Sequence, residues 1–258
     1  MIKIIMSINS FWISTTARTG SMWLYNVTRE ILKLSNINVL PTLIPKSDED
    51  FFKIFKNQSL KDKNKKNFYV LKIHKILKSD LPRSKIITTI RDPRDIFISF
   101  KEFMKTDFNT TLKATKSLLN FEKTYKTYNK DYVEFFKYED SEKNAIKTIS
   151  RISKFIGFEI NDQCAEDIFL KYDKNKVKKL IKINDESLFS KIKNKKKINN
   201  YEIVSLSNDN FRSFDSKTGF QTNHISNRNS GDWKNFLSTK EMEILNLEFK
   251  DFIKRYKY

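Results

Sequence analysis

Apolar and polar positions alternate between two rhythms over the first half of the chain. Residues 11–16 form an apolar, β-branched run of the kind a buried strand uses. After Gly20, Leu24, Val27, Ile31 and Leu34 recur three or four apart, which predicts a helix with one core-facing side. Phe68-Tyr69-Val70-Leu71-Lys72-Ile73-His74 and Lys85-Ile86-Ile87-Thr88-Thr89-Ile90 repeat the strand rhythm. The second runs into Arg91-Asp92-Pro93, where Asp92 suits an N-cap and Pro93 a first helical residue; Ile96, Phe97, Phe100 and Met104 then read as an inward helix face. Residues 36–45, with two prolines, read as an edge strand and turn, and 46–67 as a short helix followed by an exposed loop.

The later pattern continues this way. Residues 112–128 read as a helix, 132–138 as a strand, and 145–158 as a helix closed by Gly157. Residues 167–200 are dense in lysine and read as a solvated face. The stretch 208–235 is irregular, with the polar and aromatic mix of a functional loop. Ser238 and Glu241 form a capping box before Met242, Leu245, Phe249, Phe252 and Tyr256, spaced as a core-facing terminal helix. Strand, turn and helix thus recur with charged residues at the strand ends. The expected fold class is α/β, a central parallel sheet flanked by helices in one domain over residues 1–258.

Composition changes this picture little. In 258 residues, 22 Phe and 10 Tyr argue for a folded chain. Fifty Lys plus Arg against 31 Asp plus Glu give a net charge of +19, a field suited to anionic ligands. The single cysteine, Cys164, allows no internal disulfide and reads as a small buried residue on a helix. The apolar run at the N-terminus is short for a signal peptide and no run reaches a membrane span, so a cytoplasmic location is expected.

Chemistry concentrates in the turn Ala17-Arg18-Thr19-Gly20-Ser21, between the first strand and its helix. A helix start offers unpaired N–H groups and partial positive charge, Gly20 lets backbone approach a ligand, and Arg18 adds a charged fork of donors. This is a cradle for a phosphate or sulfate ester. A P-loop nucleotide triphosphatase is the first candidate, but the chain has no G-x-x-x-x-G-K-[ST] and only four glycines.

The motifs carry a closer resemblance. Ala17-Arg18-Thr19-Gly20-Ser21-Met22-Trp23 resembles the 5′-phosphosulfate loop of sulfotransferases that use 3′-phosphoadenosine 5′-phosphosulfate (PAPS). In Arg91 to Ser99, a strand-end Arg and a Ser eight residues later resemble their 3′-phosphate motif. Tyr138-Glu139-Asp140 and Gly231-Asp232-Trp233-Lys234-Asn235 are similar to two further family segments, in family order, so that the resemblance spans nearly the whole chain.

The resemblance implies a three-layer, P-loop-NTPase-like sulfotransferase fold and metal-free transfer of a sulfuryl group from PAPS to a hydroxyl or amine. By position it implies His74 as general base, with Lys72 and Ser99 beside it and Arg18 in place of the loop lysine. It further implies that Arg18, Thr19, Gly20, Ser21 and Met22 hold the 5′-phosphate. Arg91 and Ser99 hold the 3′-phosphate, joined by Arg228, Asn229, Ser230 and Gly231, although the usual Arg-Lys-Gly is altered there. Trp23, Tyr138 and Phe214 are the implied adenine contacts. His224 is either a second polar site group or, the preferred reading, a surface-loop histidine.

The acceptor is not legible. Phe51, Phe52 and Phe108 are candidates for an apolar small-molecule pocket, and the lysine runs for guiding a glycan. Nothing in the sequence sets an oligomeric state. The alternative activity is a nucleotide-dependent phosphotransferase or kinase of related fold. A nucleic-acid-binding module finds no recognisable motif.

Overall fold

The computed structural model describes residues 8–62, 67–78, 81, 83–207 and 210–258. The loop expected before Asn67 lies largely outside this set, at 63–66, as does the start of the irregular stretch at 208–209.

Five parallel strands form one sheet in the order β2-β3-β1-β4-β5: β1 (Ser10–Ser14), β2 (Asn38–Leu40), β3 (Asn67–Ile73), β4 (Ser84–Ile90) and β5 (Val133–Lys137). All five β1 residues are buried, as a central strand covered on both faces requires. The expected 11–16 run ends earlier because the chain leaves the sheet at Ser14, whose hydroxyl donates to the Lys75 carbonyl at 2.7 Å. Register places Ser14 beside Ile73, and Ile13 beside Ile87. The segments leaving β1, β3 and β4 therefore emerge side by side.

The helices are α1 (Ser21–Leu34), α2 (Asp48–Ile54, continued by a π-helical turn Phe55–Ser59), α3 (Pro93–Met104), α4 (Phe108–Tyr125), α5 (Tyr138–Lys143), α6 (Ala145–Ile156), α7 (Asp162–Lys171), α8 (Lys174–Lys193), α9 (Thr239–Glu248) and α10 (Lys250–Tyr256). A small antiparallel hairpin pairs β6 (Ile203–Ser207) with β7 (Asn210–Ser213). Two apolar clusters hold the layers. One gathers α1, α2, α6 and α7 on β1 and β3, with Trp12 against Phe52 and Phe55 at 5.3 and 5.1 Å. The other joins α3, α4, α9 and α10 around Phe97, Phe249 and Phe252.

Expected caps are present: Asp92 accepts from Arg94 N at 2.9 Å, Pro93 starts α3, Gly157 ends α6 with φ 86°, and Ser238 with Glu241 caps α9. The terminal helix is broken in two at Phe249. Leu34 and Met104, expected inward, are exposed, because each ends its helix beyond the edge of the core. Cys164 is half-buried rather than buried, since it lies in the first turn of α7. Phe51, Phe52 and Phe108 pack against Tyr25, Trp12 and Phe97, and none of the three lines the cavity described below. No helix among the described residues is long and apolar enough to cross a membrane.

Candidate active site

In an open α/β sheet the natural binding crevice lies where connections leave in opposite directions from adjacent strand ends. Here β1 leads away toward β2 and β3, while β4 and β5 continue on its other side. A cavity of about 650 Å³ opens at that point, within the range of small-ligand sites.

The loop after β1 builds its floor. Gly20 has φ 84°, a left-handed conformation that lets the chain turn into α1, and the helix begins without a side-chain cap. Its first N–H groups therefore lack intrahelical acceptors beside the cavity walls Gly20, Ser21, Met22 and Trp23. A Cβ on Gly20 would lie 2.9 Å from Tyr138 Cδ2, so only glycine fits under that ring. Thr19 is not in the wall. Its hydroxyl donates to the Thr16 carbonyl at 2.7 Å and accepts from Thr89 at 2.5 Å, tying the loop to β4.

Arg18 also adopts a left-handed conformation, φ 68°, unusual for a side chain with a Cβ and held by its neighbours. Its Nε donates to Ser99 Oγ at 2.9 Å and its Nη2 to the His224 carbonyl at 3.2 Å, while its guanidinium lies 4.2 Å over Phe103. Arg91 Nη1 donates to the Arg18 carbonyl at 2.8 Å. Burial, with Arg91 next, pulls Arg18 down to about 9, so it is still a cation at neutral pH.

Arg91 stacks on Tyr138 at 4.0 Å, and its Nε is buried without a partner. Arg228 pairs with Glu102 through Nη1 but leaves Nη2 buried and unpartnered. Both arginines line the cavity, as do Ser99 and Asn229. Two sealed guanidinium nitrogens without acceptors are expensive in isolation and fit an anion.

Ser230 and Gly231 stay outside the wall and serve as anchors. Ser230 Oγ donates to Glu142 at 2.5 Å and Gly231 N to Asp95 at 2.8 Å. Trp233 Nε1 donates to Asp92 at 3.1 Å, Asp92 holds a buried bidentate pair with Arg94, and Arg94 lies 3.9 Å over the Trp233 ring. The C-terminal motif is thereby clamped to the start of α3. Glu139 adds a second tie, accepting from Asp92 N at 3.1 Å and from the Tyr258 hydroxyl at 3.0 Å.

His74 stands one residue beyond β3. Its Nδ1 donates to the Thr15 carbonyl at 2.9 Å, which fixes the neutral tautomer and leaves Nε2 as a lone pair; its backbone N donates to Asp48 at 2.9 Å. Burial, then Lys72 and Arg18, hold His74 down to about 3 against the Thr15 bond. Lys72 lines the same cavity and is lowered by burial, opposed by Asp48. Phe214 and Trp23 are walls as well.

Several cavity neighbours escaped sequence reading. Phe103 carries Arg18 on its ring and Arg212 at 3.9 Å; Lys174 Nζ reaches the Arg228 carbonyl at 2.8 Å; Phe220 and Asp48 are walls. None belongs to a motif, and only the fold brings them here. His224 corrects its preferred reading: the loop folds inward and makes it a half-buried wall. Among the described residues, no group of three or more His, Cys, Asp or Glu is placed to hold a metal ion.

Comparison with known proteins agrees with this fold. A mouse sulfotransferase, SULT7A1, solved with PAP, superposes with a TM-score of 0.61 at 16% identity, covering 95% of this chain and 85% of that one. Retinol dehydratase in complex with retinol and PAP gives 0.57 at 13% identity, covering 96% and 82%. Its complex with androsterone and PAP gives 0.54 at 14%, covering 95% and 81%. Comparison with curated protein sequences finds no match. These likenesses are of fold; the profile of the sulfotransferase domain family matches residues 9–257, and on that match the chain belongs to the sulfotransferase family.

Proposed function

We propose that this sulfotransferase uses PAPS as donor and a hydroxyl-bearing small molecule or glycan as acceptor, in one domain spanning the chain. The observation that carries the reading is the pair of anion sites in one cavity of about 650 Å³: the uncapped start of α1 over Gly20, and the unpartnered Arg91 and Arg228 nitrogens. Two phosphates on one nucleoside, at its 5′ and 3′ positions, match that division of charge. Arg91, Ser99 and Arg228 take the 3′-phosphate. The N–H groups of Thr19 to Met22, with the Ser21 hydroxyl, take the 5′-phosphate. Trp23 and Tyr138 flank the adenine, with Phe214 further along the wall.

In-line transfer then needs a proton acceptor at the attacking oxygen and positive charge at the departing one. His74 presents a neutral Nε2 lone pair. Arg18, bridged to Ser99, and Lys72 supply charge to the bridging oxygen as the sulfur–oxygen bond breaks. The retinol dehydratase complexes contain androsterone or retinol together with PAP, which supports an alcohol of small size as the acceptor class.

The test is transfer itself. Labelled PAPS with a panel of phenols and alcohols should yield a sulfated product and PAP. His74→Ala should abolish product while PAP affinity stays within about threefold. Retained turnover would remove His74 as base.

A further inference from the structure

The cavity contains both histidines of the chain, and they are not equivalent. His74 has its proton pinned on Nδ1 by the Thr15 carbonyl. His224 is arranged in the opposite sense. Its ring lies against Phe103 at 5.8 Å and 21°, meets Phe220 edge-on at 5.9 Å and 73°, and is tethered through its own carbonyl to Arg18. Its Nδ1 is sealed without a hydrogen-bond partner. A buried N–H lacking an acceptor is rarer and costlier than an unfilled lone pair, so the proton belongs on Nε2, the nitrogen left to face the cavity. Burial first, then Arg18, Lys72, His74 and Arg212, holds the ring well below its ordinary pKa and keeps it neutral. One histidine thus offers an acceptor and the other a donor.

Resting on the PAPS reading above, we propose that His224 is a positioning residue that selects hydroxyl acceptors over amines, its Nε2–H donating to the acceptor oxygen whose proton passes to His74. A hydroxyl oxygen has one proton and two lone pairs. With the proton turned to His74 and one lone pair held by His224, the remaining pair is the one that forms the oxygen–sulfur bond. The bond from sulfur to the 5′-phosphate oxygen breaks, and its electrons leave with PAP. A neutral amine has a single lone pair, which attack on sulfur consumes, so it gains nothing from His224.

Histidine nitrogen NMR on ¹⁵N-histidine-labelled protein with PAP bound tests this directly, because only two imidazoles report and His74→Gln assigns them. At pH 7 His74 should be the neutral Nδ1–H form and His224 the neutral Nε2–H form; a His224 that is Nδ1–H or charged would overturn the inference. Kinetics with 2-naphthol and 2-naphthylamine give the second readout. His224→Phe keeps the ring packing and should lower kcat/KM for the naphthol about tenfold, mostly through KM, while the amine changes less than twofold. His224→Gln, which restores an N–H near Nε2, should recover most of the loss. Equal losses for both probes, or no recovery with Gln, would contradict the role. A protein that failed to bind PAP would instead overturn the donor reading, leaving the tautomer question separately answered by the apo spectrum.

Discussion

Gly20→Ala perturbs the cradle at its tightest point. Alanine at φ 84° costs about 1–2 kcal/mol in the left-handed region. The new Cβ would also lie 2.9 Å from Tyr138 Cδ2 and 3.1 Å from Cε2, closer than packed carbons tolerate. That ring cannot yield freely. Its opposite duties are to carry the Arg91 guanidinium at 4.0 Å and to donate its hydroxyl to Glu142 at 3.1 Å. Overpacking of this kind adds about 1–3 kcal/mol. A total near 3 kcal/mol corresponds to a fall in Tm of roughly 6–12 °C for a chain of this size. Because the ring moves with Arg91, PAP affinity by calorimetry should fall tenfold or more. Gly157→Ala is the control: it also breaks a left-handed glycine, at the end of α6, but lies away from the cavity and should lower Tm with PAP affinity unchanged. If Gly20→Ala bound PAP within twofold of the native protein, the account of the cradle would be refuted.

Other consequences follow from single contacts. Arg91→Ala should cost about 10- to 100-fold in PAP affinity but less for AMP, checked by parallel titrations, if Arg91 holds the 3′-phosphate as proposed. Trp233→Phe removes the donor to buried Asp92 and should destabilise by about 1–3 kcal/mol in urea unfolding, with a smaller effect on PAP affinity than Arg91→Ala. With His74 down to about 3, mainly through burial, kcat/KM for PAPS should show no acid limb at about 6.5; a limb there would place a solvated histidine in the base role. The same depression means that the unfolded chain binds more protons between about 3 and 6.5. Stability should therefore fall as pH drops through that window, and His74→Gln should flatten the fall in Tm.

Much of this fold is legible in the sequence. Buried β1, the cap at Asp92, the glycine turn into α1 and the box at Ser238 follow from local chemistry that tertiary packing did not override. Three of the four motifs also met at one cavity, because they sit at strand ends and loops that a parallel sheet collects on one side, while the fourth, Gly231 to Asn235, is tied behind it to Asp92 and Asp95. Local pattern failed where the answer depends on what lies opposite. Leu34 and Met104 keep helical spacing yet run past the core, and Phe51, Phe52 and Phe108 found apolar partners instead of the pocket. Ser230 and Gly231 proved to be anchors, a role set by Glu142 and Asp95 some 88 and 136 positions away in sequence. His224 is the sharpest case: a histidine in an irregular stretch gives no sign of its inward turn, which depends on Phe103 and on Arg18 reaching its carbonyl.

The central claim is a 3′-phosphate site built by Arg91, Ser99 and Arg228 in a cavity that also cradles a 5′-phosphate. Calorimetric titration with PAP, AMP and Mg-ATP tests it most directly. The account predicts that PAP binds at least tenfold tighter than either. Equal or tighter binding of Mg-ATP would contradict it and move the site to phosphoryl transfer.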